Sequence, residues 1–353
     1  MQPSLWGNAR IYGPSMGQRT WSGFIVIAVI GLTVATAAPV RAGHEDGKVL
    51  LFSQPIAKAD AIWMAMQQGF FKDEKLDVTV KWFSAGTTAM QTFQSGKDGK
   101  RGFGDFNTGG ELPAANFWQN MDEAYALLAV IERDTEGYVG IARADIKTGQ
   151  DLKGKTIATR VGSTGSWFVS EYLKAQGLAE KDVTIKNMDP HIMPPALDRG
   201  DIDAFFIWEP YGAQALKISG ARVHKLTTAK GYMNGYLVLG AWKWYVRDHP
   251  GVTERMLRAI DRGRQHAAQH KDDVIKFARE QFSMQDTAPV EADYSYNERV
   301  VGLDKVAWDD FHKLAVWMKE IGLLKRPWNP KAFFEPRPLL RALPERVSSE
   351  FRW

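Results

Sequence analysis

The chain has no cysteine, only seven histidines in 353 residues, and no Lys/Arg-rich run. Without cysteine there is no disulfide, no thiol nucleophile, and no lipid anchor on an N-terminal cysteine. Without a basic cluster, neither nucleic acid nor an acidic membrane surface is an expected partner. No G-x-G-x-x-G is present, which gives dinucleotide binding no foothold. G-x-S-x-G occurs only at 13–17 and the phosphate-loop spacing only at 149–156 (GQDLKGKT), and neither follows a predicted strand and opens a helix as that chemistry requires. His266 and His270 stand four apart in HAAQH, but the Glu of H-E-x-x-H and an obvious third ligand are missing, so no metal and no cofactor is expected. No internal repeat or long low-complexity tract interrupts the chain.

What is present is ordinary for a globular protein: 44% hydrophobic and 24% charged residues. The length suggests two domains or lobes. Arg10 and Arg19 precede an apolar run at 24–38 (FIVIAVIGLTVATAA), and small residues follow up to Ala42. That order predicts a secretory signal cut after Ala42 and a periplasmic protein, since the run is shorter than the ~20 residues of a spanning helix. Residues 1–42 hold three arginines (10, 19 and 41) and no acid, so removing them lowers the formal charge from +4 to +1. A mature chain of that size buries its cores without covalent staples.

The stretch that organises the rest is 155–167, KTIATRVGSTGSW. It reads as a short buried strand (156–159), a Gly/Ser/Thr turn, and a helix starting near Trp167 and ending before Gly177. Such a turn aims hydroxyls and free N–H groups, backed by the helix dipole, at one point. The same layout occurs twice before. Strand 78–83 runs through SAGTT into a helix at 89–94, and strand 102–108 runs through Gly109-Gly110-Glu111-Leu112-Pro113 into a helix from about Ala114. The chain opens with a strand at 48–52 and a helix at 59–68. Further strands are predicted at 127–131, 138–142, 183–185, 200–207 and 232–240. Helices are predicted from 193, over 253–282 and over 304–323. The alternation predicts a largely parallel sheet with helices on both faces, and ligands gather at the carboxyl ends of such strands. Arg160, just before the turn, is a candidate bidentate partner for sulfonate, carboxylate or nitrate oxygens, and equally a surface salt-bridge former.

Four segments then resemble a known family: GFFKDEKLDV at 69–78, SAGTT at 84–88, DLKGKTIA at 151–158 and GDIDAFFIWEPY at 200–211, with MKEIGLL at 318–324. In this order they resemble the periplasmic substrate-binding proteins of ABC importers for nitrate, taurine and other sulfonates. The resemblance implies an α/β type II periplasmic-binding fold, two lobes joined by two crossings with the ligand cleft between them. It implies boundaries of 1–42 for the signal, 43–140 and 235–325 for lobe one, 141–234 for lobe two, and 326–353 for a Pro/Arg-rich arm packed across the surface.

Carried onto matching positions, the family's polar contacts fall on Gln54, Thr87, Thr88, Thr108, Ser163, Thr164, Trp208 and Glu209, with Gly109 and Gly110 allowing close backbone approach. The partners implied are a small-molecule ligand and the transmembrane subunits of an ABC permease, with ATP hydrolysed by separate subunits. The chain itself is expected to be a monomer and not an enzyme. The departures from the pattern are Glu111, badly placed beside an anion unless it caps the helix, and an insertion at 96–101 (GKDGKR). Glu111 and the Trp-Glu-Pro stretch leave open a neutral or aromatic ligand, which a pocket without any cation would favour. The enzymatic branch of the same fold relies, as far as the resemblance goes, on cysteine and histidine clusters that this chain lacks.

Overall fold

A computed structural model describes residues 47–94, 104–121, 124–134 and 136–353. The signal reading of 1–42 and the insertion at 96–101 lie outside the described residues. Two sheets organise the rest. The strands are β1 (Lys48–Ser53), β2 (Asp77–Trp82), β3 (Phe106–Gly109), β4 (Tyr125–Asp134), β5 (Tyr138–Arg143), β6 (Thr156–Thr159), β7 (Thr184–Asn187), β8 (Ala204–Trp208), β9 (Val223–Thr228), β10 (Gly235–Trp242) and β11 (Asn297–Gly302). The first sheet has the order β11-β4-β10-β3-β1-β2 and the second β7-β6-β8-β5-β9.

Among the described residues four of the nine strand pairings are parallel, so the sheets are mixed rather than largely parallel. The reason is the double crossing. In each sheet the strand–helix–strand half pairs in parallel, as a right-handed crossover requires. The strands that carry the chain between the sheets, β4 into β5 and β9 into β10, run back against it. Every residue of β4 and β10 is buried, which needs cover on both faces of the first sheet. Strand β2 alternates exposed and half-buried residues, as an edge strand does.

The chain leaves the first sheet between Asp134 and Tyr138 and returns between Thr228 and Gly235. All of β5 therefore belongs to the second sheet, three residues ahead of the expected start at 141. The crossings are tied together: Ala229 N–H donates to Tyr138 O (2.9 Å), and Lys230 pairs with Glu136 (2.6 Å).

Two further differences concern the C-terminal third. The helix expected over 253–282 is two, Pro250–Gln269 and Lys271–Phe282, broken at His270 (φ −130°, ψ 68°). The segment 326–353 is not a surface arm. Phe333, Phe334, Leu339 and Phe351 are buried in the hydrophobic core, Glu335 N–H donates to Leu127 O on β4, and Phe334 stacks edge-on against Phe311 and Phe351.

Candidate functional site

Three helices begin where the lobes meet: Gly86–Gln94 and Glu111–Asn120 from the first lobe, Thr164–Ala175 from the second. Each starts three residues earlier than its sequence suggests. Ala89 N–H is bonded to Ala85 O and Ala114 N–H to Gly110 O, so residues 86–88 and 111–113 form first turns; the N–H groups there have no intrahelical acceptor, and Pro113 has none to satisfy. Gly, Thr and Ser are poor in helix interiors, but in the first turn that penalty lapses and their donors face outward. Gly162 supplies the left-handed backbone (φ +80°) that turns β6 into the third helix.

The helix starts are close-packed. A methyl group on Gly86 would lie 3.0 Å from Gly109 Cα, and one on Gly110 would lie 2.5 Å from Thr164 Oγ1 in the opposite lobe. Between them is a cleft of about 20 Å³ whose walls include Gln54, Lys58, Thr87, Ser163, Thr164 and Trp208. Gln54 Nε2 donates to Thr108 O (3.3 Å), and Thr108 Oγ1 donates to Ser53 Oγ (2.9 Å). Thr87 Oγ1, Thr164 Oγ1 and Trp208 Nε1 are buried with no hydrogen-bond partner. Orphaned polar atoms cost free energy unless something else satisfies them, and three converge on one cleft.

Ser163 is not among them. Its hydroxyl accepts from Gly165 N–H (3.2 Å) and donates to Arg160 O (2.6 Å), so it caps the helix. Trp208 forms one wall, edge-on to Tyr138 at 6.3 Å between ring centres.

The remaining sequence candidates lie further out. Glu209 Oε2 accepts from Ala213 N–H (2.9 Å), which makes it a cap for the helix Tyr211–Ser219. Gly109 sits in β3 behind Gly86. Thr88 is half-buried outside the cleft wall, and its carbonyl accepts from Thr92 Oγ1. Arg160 does not enter the cleft: Nη1 pairs with Asp189 Oδ1 at 2.8 Å. Asp189 precedes the turn Pro190–Ile192 and holds the guanidinium along the lobe surface.

The cation that does line the cleft is Lys58, which sequence reading missed. It sits in a single-turn helix, Ala57–Ala59, after β1. It is 2% exposed, ion-paired to Asp134 at the end of β4, and its ammonium lies 4.0 Å from the Tyr138 ring centre. Burial alone lowers its pKa, but Asp134 chiefly, with Tyr138 and Asp293, raises it above the ordinary lysine value. A lone Lys between alanines carries no pattern that separates it from a surface lysine. Only Gln54, four residues earlier, hints at the location.

Glu111 is the first residue of its helix. Oε2 accepts from Tyr236 N–H (3.0 Å) and Oε1 has no partner. Burial pushes its pKa from 4.5 up to about 7, opposed by its own N–H, by the nearby Thr164 hydroxyl and by the Tyr236 N–H. A carboxyl that is neutral over much of the acid range repels an anion less than an ordinary glutamate would, which weakens the objection raised by its sequence position. Because the folded-state value is raised, the protonated form favours the fold. That stability is fully present below about pH 4.5 and is lost as pH rises through 7. Denaturant titrations at pH 5 and pH 8 are expected to show this decline, and Glu111→Gln, which cannot ionise, to flatten that part of it. An unchanged slope in the variant would assign the decline to other groups.

The lobes also touch outside the cleft. Trp317 Nε1 donates to Ser170 Oγ (2.9 Å), and Lys217 pairs with Asp286 (2.8 Å).

Comparison with known proteins places this geometry. The family model described as NMT1/THI5 like matches residues 58–274. A protein of Escherichia coli (strain K12), named as a candidate aliphatic sulfonates-binding protein, is 25% identical over 195 residues, 52% of this chain and 60% of that protein. The taurine-binding periplasmic protein of the same organism is 30% identical over 191 residues, 52% of this chain and 56% of its own. The chain thus matches little more than half the length of these two relatives. Among solved structures, the alkanesulfonate-binding protein SsuA from Xanthomonas axonopodis pv. citri, bound to MOPS, superposes with a TM-score of 0.68 at 19% identity. The match covers 80% of this chain and 96% of that one, so the two share a fold, the two-lobe periplasmic-binding-protein architecture. The matched residues run from Lys58 in the cleft wall through the first crossing to the return to the first sheet and beyond, and the chain belongs to the NMT1/THI5-like family.

Proposed function

We propose that this protein is the extracytoplasmic solute-binding component of an ABC importer, capturing a small oxyanion such as taurine, another organic sulfonate or nitrate between its lobes. The observation that carries the reading is the convergence of three helix starts on one cleft with unpartnered Thr87 and Thr164 hydroxyls, the Trp208 N–H and the Lys58 ammonium. Every one of these is a donor or a positive pole, the complement of an oxyanion. The names of the relatives support the same class of ligand. Ligand bridges the two lobes, so the closed form gains population in proportion to the ligand's preference for it. The closed form is what a membrane permease, powered by separate ATPase subunits, would read. This is a periplasmic receptor's role and not an enzyme's. Lys58 in the wall weighs against a neutral or aromatic ligand.

A thermal-shift screen tests the proposal. The panel is taurine, longer alkanesulfonates, nitrate, sulfate, bicarbonate, aromatic acids and pyrimidines. A ligand present at 100 times its dissociation constant adds ~2.7 kcal/mol, a shift of several degrees. The expected result is a shift with sulfonates or nitrate that is lost in Thr87→Ala/Thr164→Ala. A shift confined to neutral aromatics would overturn the oxyanion reading.

A further inference from the structure

Gly322 (φ +71°) ends the helix Lys305–Glu320 and turns the chain back along it. The N–H groups of Leu323 and Leu324 both donate to Met318 O (2.8 and 2.9 Å), and Lys325 N–H donates to Gln119 Oε1 (2.9 Å). Trp328 then packs on Trp118 and Phe333, at 5.6 and 5.1 Å between ring centres. Between the helix and the returning segment lies a groove of about 480 Å³ on the first lobe. Ala315, Val316, Leu324 and Trp328 give it apolar walls, and Lys319, Lys325 and Arg326 stand in them with no acid among the described residues.

Charge sets this groove apart. Another, of about 450 Å³, carries Arg247, Arg337 and Arg341, but each of these meets a carboxylate: Asp248 (2.9 Å), Glu335 (2.6 Å) and Glu254 (2.5 Å). Here Lys319 has no ion-pair partner among the described residues, and Lys325 Nζ bonds a neutral amide, Asn120 Oδ1 (3.0 Å). Residues 313–331 hold five cations and a single acid, Glu320. That acid reaches across to Lys174 of the other lobe (3.8 Å) and is not in the groove wall. Val316 is 58% exposed, more than any other large apolar side chain among the described residues. A charged protein surface laid on this face would satisfy the lysines and leave Val316 in water. An anionic surface with an apolar interior behind it satisfies both.

We propose that this face docks on an anionic phospholipid bilayer. Phosphate head groups lie against Lys319, Lys325 and Arg326, whose stems run along the apolar walls. Val316 enters the head-group boundary, and Trp328 borders it as an interfacial aromatic does. No basic run announces the face in the sequence, because the turn at Gly322 is what brings Lys319 beside Lys325 and Arg326. The inference does not depend on the solute-binding reading. If both hold, docking keeps the receptor beside the membrane that carries its permease.

The absence of cysteine makes a site-specific test direct. The chain from residue 43 keeps every described strand and helix and leaves out the apolar run at 24–38, which would itself enter lipid. Val316→Cys, labelled with an environment-sensitive dye, is mixed at low salt with vesicles of phosphatidylcholine, alone or with an equal part of phosphatidylglycerol. The expected result is a blue shift with the anionic vesicles only, reversed by high salt. The same dye at Ile218→Cys, an exposed position on the second lobe, is expected to stay unchanged. Lys319→Gln/Lys325→Gln, both exposed, is expected to weaken vesicle co-sedimentation roughly thirtyfold, from about fivefold per lysine. Equal shifts at both dye positions, or a double variant that binds as tightly as the parent, would assign the attraction to overall charge and overturn the proposal. No binding to anionic vesicles at low salt overturns it too, and an acidic protein segment then becomes the occupant to seek.

Discussion

Replacing Lys58 by methionine is expected to destabilise the protein by about 3–5 kcal/mol, the usual cost of stranding one partner of a buried ion pair, and to abolish anion capture. Both partners are enclosed: Lys58 is 2% exposed and Asp134 0%. Asp134 Oδ1 accepts from the N–H groups of Glu136 (2.9 Å) and Gly137 (2.5 Å), so its charge stays fixed at the first crossing when the ammonium is removed. Among the described residues nothing else on the cleft wall is cationic. Urea unfolding monitored by fluorescence reads the stability as a shift in midpoint at constant slope. The double variant Lys58→Met/Asp134→Asn is expected to recover most of the loss, because a neutral pair no longer leaves a charge uncompensated. It should recover none of the anion binding. The lysine's raised pKa places the pH window: its contribution is fully present below the ordinary lysine range and fades only as pH rises through the higher folded value. The ammonium is therefore fully charged at neutral pH and into the alkaline range. A single variant as stable as the parent protein would remove Lys58 from both roles.

The fate of particular residues shows what sequence could reveal. The three Gly/Ser/Thr loops were legible because each interrupts a strand–helix unit with residues that favour neither element. Their positions at the lobe junction follow from strand order alone. The helix starts were not legible, since propensity rules penalise Gly and Thr inside a helix and are silent on the first turn, where Gly86, Thr87 and Thr164 sit. Lys58 was not singled out in the sequence, and of the two roles open to Arg160 it takes the surface pair. Arg160 stands beside the turn in sequence but finds Asp189. Lys58 reaches the cleft only because the turn after β1 folds it against Asp134, 76 residues on, a long-range contact that no local spacing encodes. Strand β11 (NERVVG) escaped for a related reason. Its Arg299 is half-buried through a pair with Asp60 (2.6 Å), so a strand on the core's edge carries the composition of a loop. The C-terminal segment was misread because Pro and Arg suggest a surface, whereas its aromatics Phe333, Phe334 and Phe351 anchor it in the core.

Gly110→Ala is expected to weaken ligand binding by roughly ten- to a hundredfold while leaving each lobe intact. The backbone at Gly110 is extended (φ −73°, ψ 166°) and accepts any residue, so the substitution imposes no local strain. Its methyl group strikes Thr164 Oγ1 of the other lobe at 2.5 Å, whereas Pro113 Cδ on its own helix stands at 3.5 Å and Thr164 Cβ at 3.7 Å. The first distance is well inside contact and the other two are ordinary. Relieving such overpacking costs about 1–3 kcal/mol, and here the cost falls on the closed form alone, because the open form separates the two surfaces. Affinity drops by the same amount, since ligand must drive closure against it. The decisive measurement is the cycle with Thr164→Ala. That change removes the one atom the methyl group strikes and by itself forfeits a single hydroxyl contact, about 0.5–1.5 kcal/mol. In the Thr164→Ala background, Gly110→Ala is expected to cost nothing further, so titration calorimetry should find the double variant as tight as Thr164→Ala alone. Additive losses would instead mean that Gly110 acts through its own helix, and that lobe closure in this protein does not depend on the close approach of these two residues.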